Sequence, residues 1–289
     1  MVRVIPRLDI KGPNLVKGIH LEGLRIMGKP EVFARQYYKD GADELIYMDV
    51  VASLYRRNNL LDIVSRTARE IFIPLTVGGG IRTLDDIRAV LRAGADKVAL
   101  NTAVIKQPHL ISEAARMFGS STIVVSIEAI KRPDGNFEAY TDNGRESTGV
   151  NALEWASRSA ELGAGEILIT SIDREGTGKG FALDLTGAVA KALSIPIVAC
   201  GGGGTVQHVE EVVSVGMANA VCLASMFHYH YLKTCNKEEV PFQEGNIEFL
   251  KGAREFSKVQ GISLRELKKN LIDRGIECRP LAEAKVGNA

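Results

Sequence analysis

The sequence predicts an α/β fold, a (β/α)8 TIM barrel built from two repeated half-barrels, and three observations carry that prediction. First, Pro74-Leu-Thr-Val-Gly-Gly-Gly-Ile81 is a short apolar run stopped by glycines, and Arg82 to Gly94 then repeats apolar residues at helical spacing. Second, Pro196-Ile-Val-Ala-Cys-Gly-Gly-Gly-Gly204 does the same and leads into a helical run from Val206 to Gly216. The offset is 122 residues (196 − 74 = 122). It also lays Gly79 on Gly201, Gly94 on Gly216, and Gly41-Ala-Asp-Glu-Leu-Ile on Gly163-Ala-Gly-Glu-Ile-Leu. Third, eight strand-like runs alternate with helical ones, which calls for a parallel sheet. Eight units with a half-chain repeat favour a closed barrel over an open, doubly wound sheet.

The strand-like runs begin near Val4, Leu45, Pro74, Lys97, Thr122, Glu166, Pro196 and Asn219. Helical patterns fall between them, among them Lys29–Gly41, Leu60–Ile71, Leu110–Phe118 and Ala152–Gly163. Residues 231–261 fit none of these units, because Thr234-Cys-Asn-Lys-Glu-Glu-Val-Pro-Phe-Gln-Glu-Gly245 is polar and turn-rich. The stretch reads as an insertion into a single barrel domain spanning residues 1–289, placed ahead of the last helix. Ser263-Leu-Arg-Glu266 is a capping box that opens this helix, which runs to about Arg274. Residues 281–289 read as a frayed tail.

With 289 residues the chain has the length of one large barrel. Its 45% hydrophobic and 25% charged content is ordinary for a soluble globular protein. A net charge of +1 gives no reason to expect nucleic acid or an anionic membrane as the main partner. No apolar run approaches the ~20 residues that cross a bilayer, and Met1-Val-Arg-Val-Ile-Pro6 lacks a signal-peptide layout, so a cytoplasmic protein is expected. The four cysteines (Cys200, Cys222, Cys235 and Cys278) contain no C-x-x-C pair and read as buried thiols of a reducing compartment. The five histidines have no metal-ligand spacing, so no metal or cofactor is expected.

In a parallel barrel the reactive groups gather where strands end, at the C-terminal face. Four glycine-bearing or repeat-related loops reach that face: Gly78–Gly80, Asn101-Thr102, Gly176-Thr177-Gly178, and Gly201–Gly204 followed by Ala224-Ser225. Glycines let backbone approach a ligand, and helix N-termini favour anions. Two such sites on opposite sides of one mouth suit a substrate with a phosphate at each end. Glycines that only turn the chain are the competing reading, and the duplication weighs against it. Asp9 and Glu128 close comparable strands of the two halves and should confront each other as an acid–base pair. At the opposite face Arg3, Glu44, Lys97 and Glu166 begin strands. On these residues alone, that layer reads as a neutral, mutually paired set serving stability.

With these residues in hand, the chain resembles the cyclase subunit of imidazole glycerol phosphate synthase from about Arg3 to His228 and again from Ser263 to Arg279. The motifs are Leu8-Asp-Ile-Lys with Leu15-Val-Lys-Gly18, Thr76-Val-Gly-Gly-Gly-Ile81, Ala95-Asp-Lys-Val with Asn101-Thr102, and Gly165-Glu-Ile-Leu followed by Thr170-Ser-Ile-Asp-Arg-Glu-Gly-Thr177. The resemblance implies a glutaminase partner docked at the bottom of the barrel, which releases ammonia through a charged gate. It also implies a bisphosphorylated ribulosyl-formimino substrate at the top, cleaved and cyclised with the help of two acids. Residue by residue, Asp9 matches the first acid and Arg3, Glu44, Lys97 and Glu166 match the gate. Gly80, Asn101, Thr102, Gly176, Gly202, Gly203, Ala224 and Ser225 match the phosphate loops, and Lys11 and Lys17 match basic positions near the first acid.

Two acids depart from the family pattern, since Glu128 and Glu175 both stand where it has aspartate. With the 231–261 insertion and Arg7-Leu-Asp-Ile-Lys-Gly-Pro-Asn-Leu-Val-Lys-Gly18, they resemble a paralogous branch, the glycosyl amidation-associated proteins. That resemblance implies an alternative role, passing ammonia from a glutaminase to a sugar amidotransferase of surface-polysaccharide synthesis. The chain carries no cysteine-based glutaminase signature, so glutamine-derived ammonia would come from another polypeptide. The sister sugar isomerase of the histidine pathway is also a two-fold repeated barrel, but needs no charged gate.

Overall fold

Strands buried on both faces read as nearly unbroken apolar runs, and the eight barrel strands here do so apart from polar groups at their ends and in the lumen. A computed structural model of the chain describes residues 1–51, 60–235 and 259–280. Its strands are β1 (Arg3–Lys11), β2 (Asn14–Ile19), β3 (Glu22–Gly28), β4 (Leu45–Asp49), β5 (Leu75–Gly78) and β6 (Lys97–Leu100). They continue with β7 (Ile123–Lys131), β8 (Phe137–Thr141), β9 (Glu146–Asn151), β10 (Glu166–Ser171), β11 (Ile197–Cys200) and β12 (Ala220–Leu223). Parallel pairing runs β1-β4-β5-β6-β7-β10-β11-β12 and returns to β1, closing an eight-stranded barrel. The barrel expected from the repeat is therefore the one found.

Two cores result. Ile5, Ile46, Val124, Leu168, Val198 and Ala220 fill the lumen, while a larger apolar layer joins the outer strand faces to the helices. The helices match the expected stretches closely: Pro30–Lys39 is trimmed at both ends, Leu60–Ala68 and Ala152–Glu161 at the C-terminal end, and His109–Phe118 starts one residue early. The repeat extends to backbone detail. Thr83 caps the helix Leu84–Arg92 by accepting from Asp86 N, and Thr205 caps Val206–Ser214 by accepting from His208 N. Gly79 and Gly201 adopt φ of +95° and +91°, and a Cβ there would strike the carbonyl oxygens of Asp49 and Ser171, again repeat mates. Only glycine fits both the conformation and the approach.

Two hairpins were not foreseen in the sequence. β2 and β3 extend antiparallel from β1, and β8 and β9 extend in the same way from β7. Their tips are repeat mates in the left-handed region, His20 and Leu21 at φ of 52° and 63°, Asp142 and Asn143 at 52° and 59°. Asn143 Nδ2 donates to Leu21 O at 3.2 Å, so the tips meet above the mouth.

Only the two edges of the 231–261 stretch fall within the described residues. Tyr231 to Thr234 continue the helix Ser225–Thr234, because Leu232 still packs into the core. Most of the proposed insertion, 236–258, and the tail at 281–289 lie outside the described residues. Where description resumes, Gln260 N donates to Gly204 O at 2.7 Å and Ile262 N to Met226 O at 3.2 Å. Ser263 then forms its capping box with Glu266 and starts Leu264–Asp273. Lys268 of that helix is fully buried and donates to Asp43 Oδ1 at 2.6 Å, tying the C-terminal helix to the base of the barrel. No helix among the described residues is long and apolar enough to cross a membrane.

Candidate active site

Lumen-facing side chains occupy alternate strand positions, so polar groups placed at that period stack along the barrel axis. At the base, Arg3 Nη1 donates to Glu44 Oε1 at 2.5 Å and Nη2 donates to Glu166. Lys97 Nζ donates to Glu44 Oε2 at 3.0 Å and to Glu166 Oε2 at 3.2 Å. Each cation touches both carboxylates, and the four charges close into a neutral ring across the N-terminal end.

At the other end, strand register equates the two acids. Asp9 lies opposite Met48 and Glu128 opposite Thr170, positions that are again 122 apart (170 − 48 = 122). Both are buried. Their surroundings differ. A cavity of about 310 Å³ opens beside Glu128 and is lined by Gly80, Asn101 and Thr102, with Arg82 and Lys106 adding positive charge. Asn101 Nδ2 donates to Glu128 Oε2 at 3.1 Å. Burial pushes the Glu128 carboxyl up to about 7, with Asp9 and Asp142 adding to the rise and Arg7 and the Gly144 amide opposing it. Asp142 N donates to Thr102 Oγ1 at 3.1 Å, which fixes the β8–β9 tip over this loop.

Asp9 is not among the residues lining that cavity. Its Oδ1 accepts from Arg7 Nε at 2.7 Å, in an ion pair almost wholly out of solvent. Nearby, Lys17 Nζ donates to Glu175 and to Gly18 O at 2.9 Å. Burial alone would push Glu175 up, yet Lys17, Arg7 and the Gly176 amide hold it below the usual carboxylate range. The second-half loops on this side of the mouth close on protein atoms. Gly180 N donates to Gly202 O at 2.8 Å, Gly204 N donates to His208 Nδ1 at 3.3 Å, and Gly203 faces Phe181 and Leu223. Ala224 has φ −124° and ψ −68°, close to the −132° and −90° of its mate Asn101, and leads into buried Ser225.

The chain matches the model of a histidine biosynthesis protein family over residues 3–233. It is 60% identical over 207 residues to the imidazole glycerol phosphate synthase subunit HisF of Legionella pneumophila, spanning 72% of this chain and 98% of the relative. It is 46% identical over 228 residues to the subunit of the same name in Alkaliphilus metalliredigens, spanning 79% and 90%. The chain belongs to the histidine biosynthesis protein family.

Against the sequence reading, this family member keeps Asp9 and Glu128 at one end of the barrel and Arg3, Glu44, Lys97 and Glu166 at the other. The expected confrontation of the two acids across an open mouth is modified, since Glu128 lines the cavity and Asp9 is taken up by Arg7. Lys11 ends β1 exposed, whereas Lys17 is buried and committed to Glu175. Two groups escaped the sequence reading. Arg7 could have been found from its place two residues before Asp9 on the face that carries Arg3. Asp142 could have been found from Thr141-Asp-Asn-Gly144, a tight-turn signal between two alternating runs.

Proposed function

We propose that the chain is an ammonia-dependent cyclase subunit of the imidazole glycerol phosphate synthase type. It would convert a bisphosphorylated ribulosyl-formimino aminoimidazole carboxamide ribotide to imidazole glycerol phosphate and aminoimidazole carboxamide ribotide. The observation that carries this reading is Glu128 itself: a carboxyl held near neutrality, on a cavity rimmed by Gly80, Thr102, Arg82 and Lys106. An acid that both gives and takes a proton near pH 7 is what ring closure by acid–base catalysis needs. The cations and glycine loop beside it suit one phosphate of the substrate. The loops around Gly176, Gly202, Gly203, Ala224 and Ser225 would take the other, with Lys17 released from Glu175 as it binds.

In this reading a cytoplasmic glutaminase subunit docks on the N-terminal face, over the ring of Arg3, Glu44, Lys97 and Glu166. Support comes from exposed Phe72, which lines a surface hollow with Ile71, Pro74, Gly94 and Asp96 next to that ring. A second reading, an ammonia conduit to a sugar amidotransferase, is favoured by one observation. Lys17 is occupied by Glu175, and the second set of loops lines no part of the cavity beside Glu128.

Turnover separates the two. With ammonium salt at mildly alkaline pH and the ribulosyl-formimino substrate, the purified chain is expected to release imidazole glycerol phosphate. Binding of the substrate without product would instead leave the conduit reading standing.

A further inference from the structure

β1 sends Arg3, Ile5, Arg7 and Asp9 to the same side, and Ile5 packs in the lumen with Ile46 and Leu168. Arg7 therefore stands inside the barrel, roughly 13 Å above Arg3 along the strand and about 7 Å below Asp9. Its side chain is buried and reaches past β12 to β11, with Nη1 3.6 Å from Cys200 Sγ. Its Nε is bound to Asp9, and its Nη2 has no hydrogen-bond partner among the described residues. A guanidinium cannot shed its charge to relieve this burial. Replacing a buried ion pair by packed apolar side chains is often neutral or stabilising, so stability alone does not account for Arg7.

We propose that Arg7 makes the two carboxylates of the mouth unequal: it is a positioning residue that holds Asp9 from below as an oriented carboxylate and leaves Glu128 to carry the exchangeable proton. The proposal rests on reading these two groups as the acid–base pair. The geometry supports it directly. Asp9 has a charged donor on one oxygen and no place on the cavity, while the neutral amide of Asn101 is the side-chain donor to Glu128, which does line it. The other charged groups near Arg7 fit the same division. Lys17 is neutralised by Glu175, Asp142 lies on the Glu128 side, and Cys200 and Cys222 face Arg7 from β11 and β12. Removing the cation should let Glu128 hold its proton more tightly, because Arg7 now opposes the rise caused by burial.

The test follows the Glu128 carboxyl in the full chain by carbon-13 NMR, its signal identified by loss in Glu128→Gln. In the wild type it is expected to titrate near pH 7. In Arg7→Met, which keeps bulk without charge, the midpoint is expected to rise by about one unit or more, and Arg7→Gln is a second neutral variant should the first not fold. Arg7→Lys, with the charge retained, is expected to stay within about half a unit of wild type. In ammonium-driven turnover, the neutral variants are expected to lose kcat about tenfold or more with KM within about threefold, marking a group that acts on chemistry rather than binding. An unmoved Glu128 midpoint in a neutral variant overturns the proposal. A midpoint that moves in a wild-type background lacking any turnover overturns the acid–base reading instead, and leaves the electrostatic effect of Arg7 in place.

Discussion

The two halves of the barrel share a backbone but not a mouth. On one side of the mouth Gly80, Asn101 and Thr102 of the first half border an open cavity, and Glu128 of the second half faces it with a neutral amide as its side-chain partner. On the other side the equivalent loops of the second half are filled by Phe181, Leu223 and internal hydrogen bonds, and the acids there are matched to cations supplied by the first half's β1 and β2, Asp9 to Arg7 and Glu175 to Lys17. The backbone angles, helix caps and glycine approaches are nearly superposable. The difference teaches that duplication preserves strand, turn and cap, while side chains of the lumen and hairpins decide what each half can hold.

The largest expected effect would break the comparison at its acids. Asp9→Asn and Glu128→Gln are each expected to lower kcat by about 10²- to 10⁴-fold in ammonium-driven turnover. Full activity in either variant would remove that residue from the chemistry.

The next effect probes the packed side of the mouth. Lys17→Met leaves Glu175 buried without its counterion and is expected to cost about 3–5 kcal/mol in urea unfolding. The double variant Lys17→Met with Glu175→Leu should recover most of that loss. Lys106→Ala, at the exposed rim of the open side, should change stability by under about 0.5 kcal/mol. Equal losses at Lys17 and Lys106 would erase the distinction between the two sides of the mouth.

A pH effect sharpens it further. The folded value of about 7 for Glu128 lies above its unfolded value of roughly 4.3, so the native state binds this proton more tightly. The contribution is then fully present below the unfolded value and is lost as pH rises through about 7. Glu128→Gln should therefore be about 2 kcal/mol more stable than wild type at pH 8.5, with the gain shrinking towards pH 4. A gain independent of pH would show that desolvation of the charged carboxylate is not its source.

The smallest effect lies where the halves touch. Asn143→Ala removes the hydrogen bond to Leu21 O and is expected to cost about 1 kcal/mol or less. Amide exchange should quicken at both hairpin tips if they act as one roof, and at the β8–β9 tip alone if they do not.

Much of this was legible before any coordinates. Strands such as Leu75–Gly78 and Ile197–Cys200 are buried on both faces and run into glycines, so their type and limits can be read from residues alone. Ser263 announced its helix by cap chemistry, and the same signal at Thr83 and Thr205 went unread. The hairpins were harder. β2 and β8 mix Lys17 or Glu138 with apolar residues, and those polar groups are buried only because partners on other elements receive them, Glu175 far along the chain for Lys17 and Ser147 on the next strand for Glu138. Arg7 was hidden for a similar reason, as a charge within an apolar strand says little until closure of the barrel turns it inward.

The sequence by itself determined the duplicated barrel, the ends at which acids and charged ring would gather, and the family to which the chain belongs. These follow from periodicity, glycine and cap chemistry, which act over a few residues and repeat at a constant offset. Only the tertiary structure decided that Asp9 pairs with Arg7, that Glu175 claims Lys17, and that one half of the mouth is open while the other is filled. Burial sets the strength of a charge and the state of a carboxyl, and burial is a property of strands brought together from opposite ends of the chain.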